Sequence, residues 1–131
     1  MARIEKSKPF VDTLELSDGE KDLQIEIKLD LNSVAHRYRP CQIALVEAEK
    51  LAEQNPNDPA CLNAYGEAIC SMFQLIFGEV NTEKIMEFYE DDYSTMLLDL
   101  MPYLAQTIVP ALQAERERKI SQAKHARRFL R

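Results

Sequence analysis

Glycine and long apolar runs are scarce in this 131-residue sequence, and each shortage argues against a class of protein. Three glycines leave few flexible hinges and few of the glycine-rich loops that hold phosphate groups. No apolar run approaches the roughly 20 residues that a membrane-spanning helix needs, and the N-terminus lacks the apolar centre of a signal peptide. We therefore expect a cytoplasmic protein with no membrane partner and a single domain over residues 1–131.

Cysteine, histidine and short motifs show no pattern typical of an enzyme. Cys41, Cys61 and Cys70 are an odd set without Cys-x-x-Cys spacing, so we expect reduced, mostly buried thiols. Neither His36 nor His125 has a ligand-like neighbour in sequence. The dinucleotide-binding, phosphate-binding, zinc-protease and serine-hydrolase motifs are also missing. The sequence therefore predicts a non-catalytic protein with no cofactor and no metal site.

One dense group of carboxylates, Glu90-Asp91-Asp92, leaves a weaker alternative open. Three neighbouring carboxylates can bind a divalent cation, and an enzyme could act through them. Acidic residues also suit the start of a helix, because they interact favourably with the positive end of its dipole. The second interpretation is the commoner one, and we expect these residues to lead into a helix.

The net charge of −6 is divided unevenly along the chain. Residues 115–131 contain seven Lys or Arg and two Glu, for +5, whereas residues 1–114 contain nine Lys or Arg and 20 Asp or Glu, for −11. An acidic body with a basic tail favours head-to-tail self-association or docking on an acidic partner, although a solvated tail without a partner is equally consistent. The tail could also contact phosphates. A small helical regulatory or nucleic-acid-associated adaptor is therefore an alternative, but the acidic body opposes approach to DNA.

Residues 1–31 are predicted to form a β-hairpin. Asp18-Gly19 is a two-residue turn signal, because Gly accepts a positive φ without steric cost. A turn at these residues pairs Leu16 with Lys21. One face of the hairpin then collects apolar side chains that helices or another subunit must cover: Phe10, Leu14, Leu16, Leu23, Ile25, Ile27 and Leu29.

Residues 32–114 are predicted to form a helical body, because apolar residues recur there every three or four positions. Gly66, inside the second helix, predicts a close helix contact. Pro40, Pro102 and Pro110 interrupt the apolar stripes and predict kinks or fresh helix starts. Capping residues mark the starts of the first three helices: Asn32 or Ser33, then Asp58 with Pro59, then Asn81 or Thr82.

The last apolar stripe ends well before the helical pattern does. It runs from Tyr93 to Leu112, yet the sequence continues helix-like for about five more turns with few large apolar residues. A helix that extends beyond its last core-facing residue is typical of an interaction protein. We expect an α+β fold in which an N-terminal β-hairpin precedes a bundle of about four helices, the last one long, with residues 115–131 as its basic tail.

Methionine and aromatic residues on the second to fourth predicted helices are the candidate partner-binding surface. Most of them must form the core, but a wide stripe on short helices can leave some exposed as a groove for an irregular apolar segment. The residues predicted to contact a partner are four of this set, the apolar Leu100 and four arginines of the tail: Met86, Phe88, Tyr89, Met96, Leu100, Arg116, Arg118, Arg127 and Arg128.

The segment that begins at Phe77 resembles a known family. It contains the run FGEVNTEKIMEFYEDDY, followed by a proline-containing helix with MLLDLMPYL and IVP. These features are similar to those of tail assembly chaperones of long-tailed phages and prophages of Gram-positive bacteria. The resemblance implies a protein of the bacterial host cell that binds the tape measure protein and helps to recruit the tail tube protein. It supplies no catalytic residues. The apolar hairpin face and the divided charge add the expectation of a homo-oligomer.

Overall fold

The protein is an N-terminal β-hairpin followed by helices, which confirms the predicted α+β class. The computed structural model describes residues 1–4 and 8–129, so the last two residues of the predicted tail lie outside the described residues. A π-helical turn joins α4 to α5 without a break, and these three segments are called the long helix. The elements are β1 (Phe10–Ser17), β2 (Asp22–Leu29), α1 (Leu31–Gln54), α2 (Pro59–Phe77), α3 (Glu79–Phe88), α4 (Tyr93–Tyr103), the π turn (Leu104–Ile108) and α5 (Val109–Phe129).

The hairpin has the predicted inner face, but its register differs from the prediction by two residues. Leu16 pairs with Leu23 rather than with Lys21, so the loop between the strands has four residues instead of two. The carboxylate of Asp18 accepts hydrogen bonds from two backbone N–H groups of this loop, at 2.9 and 2.6 Å, and Gly19 adopts a φ of 92°. These bonds stabilise the wider turn. A shift of two residues keeps every side chain on its face of the sheet, which is why the inner face was still predicted correctly.

The first two helices begin at side-chain caps, one of them earlier than predicted. The carboxylate of Asp30 accepts a hydrogen bond from the backbone N–H of Ser33 at 3.3 Å, so α1 starts before the predicted caps. It then continues through Pro40 without the predicted fresh start. The N-cap of α2 is Asp58 as predicted, and its carboxylate accepts from the backbone N–H of Ala60 at 3.0 Å.

Helix α3 follows α2 after a single residue, Gly78, which has a φ of 82°. It begins at Glu79, so the predicted caps, Asn81 and Thr82, lie inside the helix instead. Thr82 is buried, and the side-chain amide of Asn81 donates a hydrogen bond to the backbone carbonyl of Glu26 at 3.0 Å. This bond ties α3 to β2.

The two prolines of the long helix are accommodated by the π turn between them. The backbone N–H of Val109 bonds to the carbonyl of Leu104, five residues earlier instead of four. Pro110 has no N–H, and its ring crowds the preceding turn, so a locally widened helix fits it better than a regular one. Pro102 is exposed near the end of α4. The predicted division of this element into separate pieces therefore does not occur.

The core lies between the inner face of the hairpin and the helices. The long helix begins beside the middle of α2, where the Tyr93 ring approaches Gly66, and the Tyr103 ring later stacks on Phe77 with centroids 6.4 Å apart. Past that point α5 packs against α1. The most deeply buried large apolar side chains are those of Ile25, Ile27, Ile69, Phe73, Ile76, Ile85, Met96, Leu100 and Ile108.

A polar contact joins the hairpin to the long helix. The hydroxyl of Tyr103 donates a hydrogen bond to the carboxylate of Asp12, with the two oxygens 2.7 Å apart. Burial, together with this carboxylate, raises the pKa of Tyr103 well above its ordinary value. The phenol therefore stays protonated and keeps donating throughout the neutral range.

In the part of the chain that the structure describes, one helix is long and apolar enough to cross a membrane by length and composition. It spans Tyr93–Arg128, and a third of its apolar window is buried inside the protein. Part of that apolar character belongs to core side chains such as Leu104 and Ile108. Length and composition do not distinguish a core helix from a membrane-spanning one, so the absence of a membrane partner stays a prediction.

Candidate partner-binding surfaces

The five apolar residues predicted to form a groove are divided between the core and the surface. Met96 and Leu100 are 0% and 2% exposed and belong to the main hydrophobic cluster. The prediction that these two residues contact a partner directly must therefore be corrected, because the face of α4 that carries them already packs inside the protein. Met86, Phe88 and Tyr89 are only partly buried, so part of each side chain stays accessible.

These three residues lie together at the end of α3. The rings of Phe88 and Tyr89 meet edge to face, with centroids 5.4 Å apart, and the sulfur of Met86 lies 3.4 Å from the Cys70 sulfur on α2. The Tyr89 hydroxyl donates a hydrogen bond to the Asp99 carboxylate at 3.1 Å. Burial and this bond raise the pKa of Tyr89 to about 12. The arrangement fixes the aromatic end of α3 against α2 and α4.

An open groove follows the outward face of α2 next to Cys70, and we call it the α2 groove. It has a volume of about 750 Å³. Tyr93 can lie against α2 because residue 66 is glycine: a Cβ there would come within 2.8 Å of the Tyr93 ring. The predicted close contact at Gly66 is thus confirmed. The side chains that define the groove include Leu62, Asn63, Cys70, Gln74 and Tyr93.

Sequence reasoning did not find the α2 groove, because it assigned most of the apolar residues of the second predicted helix, and the stripe that begins at Tyr93, to the core. Leu62 is in fact 47% exposed. The sequence does contain one indication of the groove. Glycine inside a helix removes side-chain bulk and allows another group to approach closely. What it does not reveal is which distant residue fills the space beside it.

The cysteines are free thiols, as predicted, but they are partly rather than mostly buried. Burial raises the pKa of Cys70, with smaller contributions from nearby acidic side chains. Desolvation and the neighbouring carboxylate of Asp58 raise the pKa of Cys61. A raised pKa leaves less of the reactive thiolate at neutral pH. Among residues 1–4 and 8–129, no group of three or more His, Cys, Asp or Glu side chains could hold a metal ion.

A second cavity, the α1–α5 cleft, lies between the first half of α1 and the start of α5. Its volume is about 260 Å³. Arg39 lines it from α1 and Arg116 from α5, and neither guanidinium has a hydrogen-bond or ion-pair partner among the residues described. Desolvation raises the pKa of Tyr38, so its phenol is a neutral donor. The other lining side chains include Gln42, Leu112 and Gln113.

The four arginines predicted to bind a partner lie in different surroundings. Arg116 lines the α1–α5 cleft. Arg118 pairs with Glu115 on the same helix, at 2.7 Å between nitrogen and oxygen, and this pairing lowers the pKa of Glu115. Arg127 and Arg128 are exposed in the last turn of α5. Partner contact by Arg118 would therefore have to compete with Glu115.

The acidic residues between α3 and α4 form an exposed turn, called the acidic turn (Glu90, Asp91 and Asp92). Asp92 caps α4, as expected for a helix start: its carboxylate accepts from the Thr95 backbone N–H at 3.2 Å and from the Thr95 hydroxyl at 2.7 Å. Glu90 and Asp91 have positive φ angles of 53° and 62°. Asp92 is thus committed to the helix, whereas the other two carboxylates project into solvent.

Comparison with known proteins assigns the chain to a family. A family model described as Cse1 matches residues 17–129. Comparisons with curated proteins and with solved structures gave no match. The matched range contains β2, all of the helices, the α2 groove, the α1–α5 cleft and the acidic turn. The chain therefore belongs to the Cse1 family.

Proposed function

We propose that this chain is a tail assembly chaperone of a phage or prophage, which binds an apolar segment of the tape measure protein and helps to recruit tail tube subunits. The observation that carries the proposal is the α2 groove. It is open along its length and has an exposed leucine, Leu62, near one end and a sulfur-rich contact, Cys70 with Met86, farther along α2. Support also comes from the sequence resemblance described above.

The α2 groove combines the apolar side chains of Leu62, Cys70 and Tyr93 with the polar ones of Asn63, Glu67, Ser71 and Gln74. An amphipathic helix binds by laying its apolar face along a groove, with anchors three or four residues apart. A volume of about 750 Å³ is enough for several side chains. Sulfur-containing side chains adapt to irregular apolar surfaces because they are polarizable. Polar groups along the groove, such as the Asn63 and Gln74 amides, can fix the orientation of the bound segment.

Co-expression with a tape measure protein from the same phage or prophage tests the proposal. Leu62→Glu replaces the exposed leucine of the α2 groove with a second carboxylate besides that of Glu67, and Leu98→Glu makes the same change at a site that is 73% exposed and does not line the groove. We expect co-purification to be lost with the first variant and kept with the second, while both keep the wild-type melting temperature. The proposal fails if the wild-type protein does not retain the tape measure protein, or if both variants retain it equally.

The exposed basic half of α5 favours one alternative, a nucleic-acid-associated adaptor. Arg127 and Arg128 are accessible there, and such charges bind phosphates in a strongly salt-dependent way. Salt-dependent binding of the full chain to double-stranded DNA, weakened by Arg127→Gln together with Arg128→Gln, would favour the adaptor over the chaperone. We expect no such binding, because the body of the protein is acidic.

A further inference from the structure

The α1–α5 cleft is rich in hydrogen-bond donors. Arg39 and Arg116 line it from two different helices, and the Tyr38 phenol and two glutamine amides add further donors. The rest of the lining is apolar: Ala35, Val109 and Leu112. Guanidinium groups bind carboxylates through charge-assisted, often bidentate hydrogen bonds. Within the described chain no acidic side chain pairs with either guanidinium. The cleft is therefore suited to carboxylates from outside the molecule, and its volume of about 260 Å³ fits one or two side chains.

The acidic turn has the complementary chemistry. The backbone of Glu90 and Asp91 is in the left-handed region, which non-glycine residues seldom adopt. Both residues are exposed, and neither carboxylate has a hydrogen-bond or ion-pair partner within residues 1–4 and 8–129. The turn thus presents two adjacent free carboxylates on a short, conformationally defined loop.

The two features cannot meet within one molecule. Asp92 begins the long helix and Leu112 lines the cleft, so about 30 Å of helix separates them. The helix runs alongside α2 from Gly66 to Phe77 and then along α1, which places the acidic turn and the cleft at different levels of the bundle. A contact between them must therefore join two copies.

We propose that the acidic turn of one copy docks in the α1–α5 cleft of a second copy. The contact is heterologous, because each copy uses two different surfaces, and it leaves a free turn at one end and a free cleft at the other. Further copies can add in the same way, which produces a linear array. The proposal is independent of the tape measure protein and of the α2 groove.

Sedimentation velocity of the full chain over a range of concentrations, at low and high salt, tests the cleft. We expect wild-type self-association at low salt and its loss at high salt, because exposed ion pairs are screened. Arg39→Glu with Arg116→Glu should weaken it by at least about tenfold, since several weak pairs become repulsive. Lys28→Glu with Lys50→Glu changes the net charge by the same amount at exposed positions outside the cleft and should leave association within about twofold of wild type.

The acidic turn is tested by neutralisation and then by exchange of charges. Glu90→Gln with Asp91→Asn should weaken association like the cleft variant, whereas Glu83→Gln with Glu87→Gln on α3 should not. Asn also tolerates the left-handed backbone at position 91, so this variant is expected to fold. In the exchange, a chain with Glu90→Lys and Asp91→Lys should associate poorly alone, but mixing it with the cleft variant should restore association.

Three outcomes overturn the proposal. The first is a wild-type chain that stays monomeric at every concentration and salt. The second is a control pair that weakens association as much as the matched cleft or turn pair, since net charge would then explain the effect. The third is a mixture of the two reversed-charge variants that fails to associate although both are folded by circular dichroism. If the lysine variant does not fold, the test of the acidic turn is the variant with Glu90→Gln and Asp91→Asn, and unchanged association of that variant overturns the proposal.

Discussion

The two halves of the long helix form one continuous helix, but the first half has a buried face and the second half is mostly exposed. Up to Leu112, one face is buried against α2, α1 and the hairpin at regular helical spacing. Beyond Leu112, the described side chains of α5 are exposed, apart from the partly buried pair of Glu115 and Arg118. The buried face of the first half consists of Met96, Leu97, Leu100, Leu104, Ile108 and Leu112.

The comparison shows that the two halves are helical for different reasons. Tertiary packing holds the first half in place, and packing tolerates even the prolines there at the expense of one π turn. The second half contains many good helix formers, such as Ala, Gln, Glu, Lys and Arg, and it extends a helix that is already nucleated. Substitutions in the first half should therefore change stability, and those in the second half should change interactions.

Truncation of a core side chain in the first half should give the largest effect. Leu100→Ala removes a side chain that is 2% exposed and leaves a cavity, so we expect the free energy of unfolding to fall by about 2–5 kcal/mol. Leu98→Ala, on the exposed face of the same turn, should change it by less than about 0.5 kcal/mol. Urea denaturation measures both. Equal, small effects would return Leu100 to the set of candidate partner-binding residues.

Substitution of Gly66, which contacts Tyr93, should give the next largest effect on the free energy of unfolding. Its sign should be opposite to the one that helix propensity predicts. Gly66→Ala puts a Cβ 2.8 Å from the Tyr93 ring, so the variant should lose about 1–3 kcal/mol although alanine favours a helix. In a Tyr93→Ala background the same substitution should stabilise by up to about 1 kcal/mol. A double-mutant cycle by thermal and urea unfolding measures this change of sign, and its absence would mean that the ring simply moves aside.

Local signals predicted the hairpin face and the start of α2 at Asp58, because each depends on a few neighbouring residues. The register was missed because the Asp18 carboxylate widens the turn by bonding to loop N–H groups. Helical spacing placed Met96 and Leu100 on one face. It could not show whether that face meets the core or a partner.

The candidate surfaces were the hardest part to predict, because each joins residues far apart in sequence. The α2 groove depends on Tyr93 resting against Gly66, and the α1–α5 cleft depends on α5 returning along α1. The tail arginines were predicted from their charge alone. The pairing of Arg118 with Glu115, and the position of Arg116 opposite Arg39, emerge only from the three-dimensional arrangement.

The link between the hairpin and the first half of the long helix should give a smaller, pH-dependent effect. Tyr103→Phe removes the hydrogen bond to Asp12 and should lower the free energy of unfolding by about 1–2 kcal/mol at neutral pH. Tyr38→Phe is the control, because the Tyr38 hydroxyl has no hydrogen-bond partner in the described part of the chain.

The sign of the pH dependence follows from the raised pKa of Tyr103. The unfolded tyrosine ionises near pH 10, whereas the folded one holds its proton to higher pH. The stabilisation is therefore complete below about pH 10 and is lost as the pH rises through the folded pKa. In urea unfolding from neutral to alkaline pH, the advantage of wild type over the phenylalanine variant should shrink. A constant difference would show that Tyr103 does not hold its proton more tightly when folded.

Removal of the second half of the long helix should have the smallest effect on folding. A chain that ends at Ala114 keeps Ile108 and Leu112 and loses mainly exposed residues, so its free energy of unfolding should stay within about 1 kcal/mol of wild type. A chain that ends at Gln106 lacks both buried side chains and should lose at least about 4 kcal/mol. Because the chain that ends at Ala114 also lacks Arg116, its self-association and the salt dependence of that association should fall together. If the chain ending at Ala114 unfolds, the tail packs on the body after all. If it folds and associates as before, the tail is a solvated helix and the α1–α5 cleft is not the docking site.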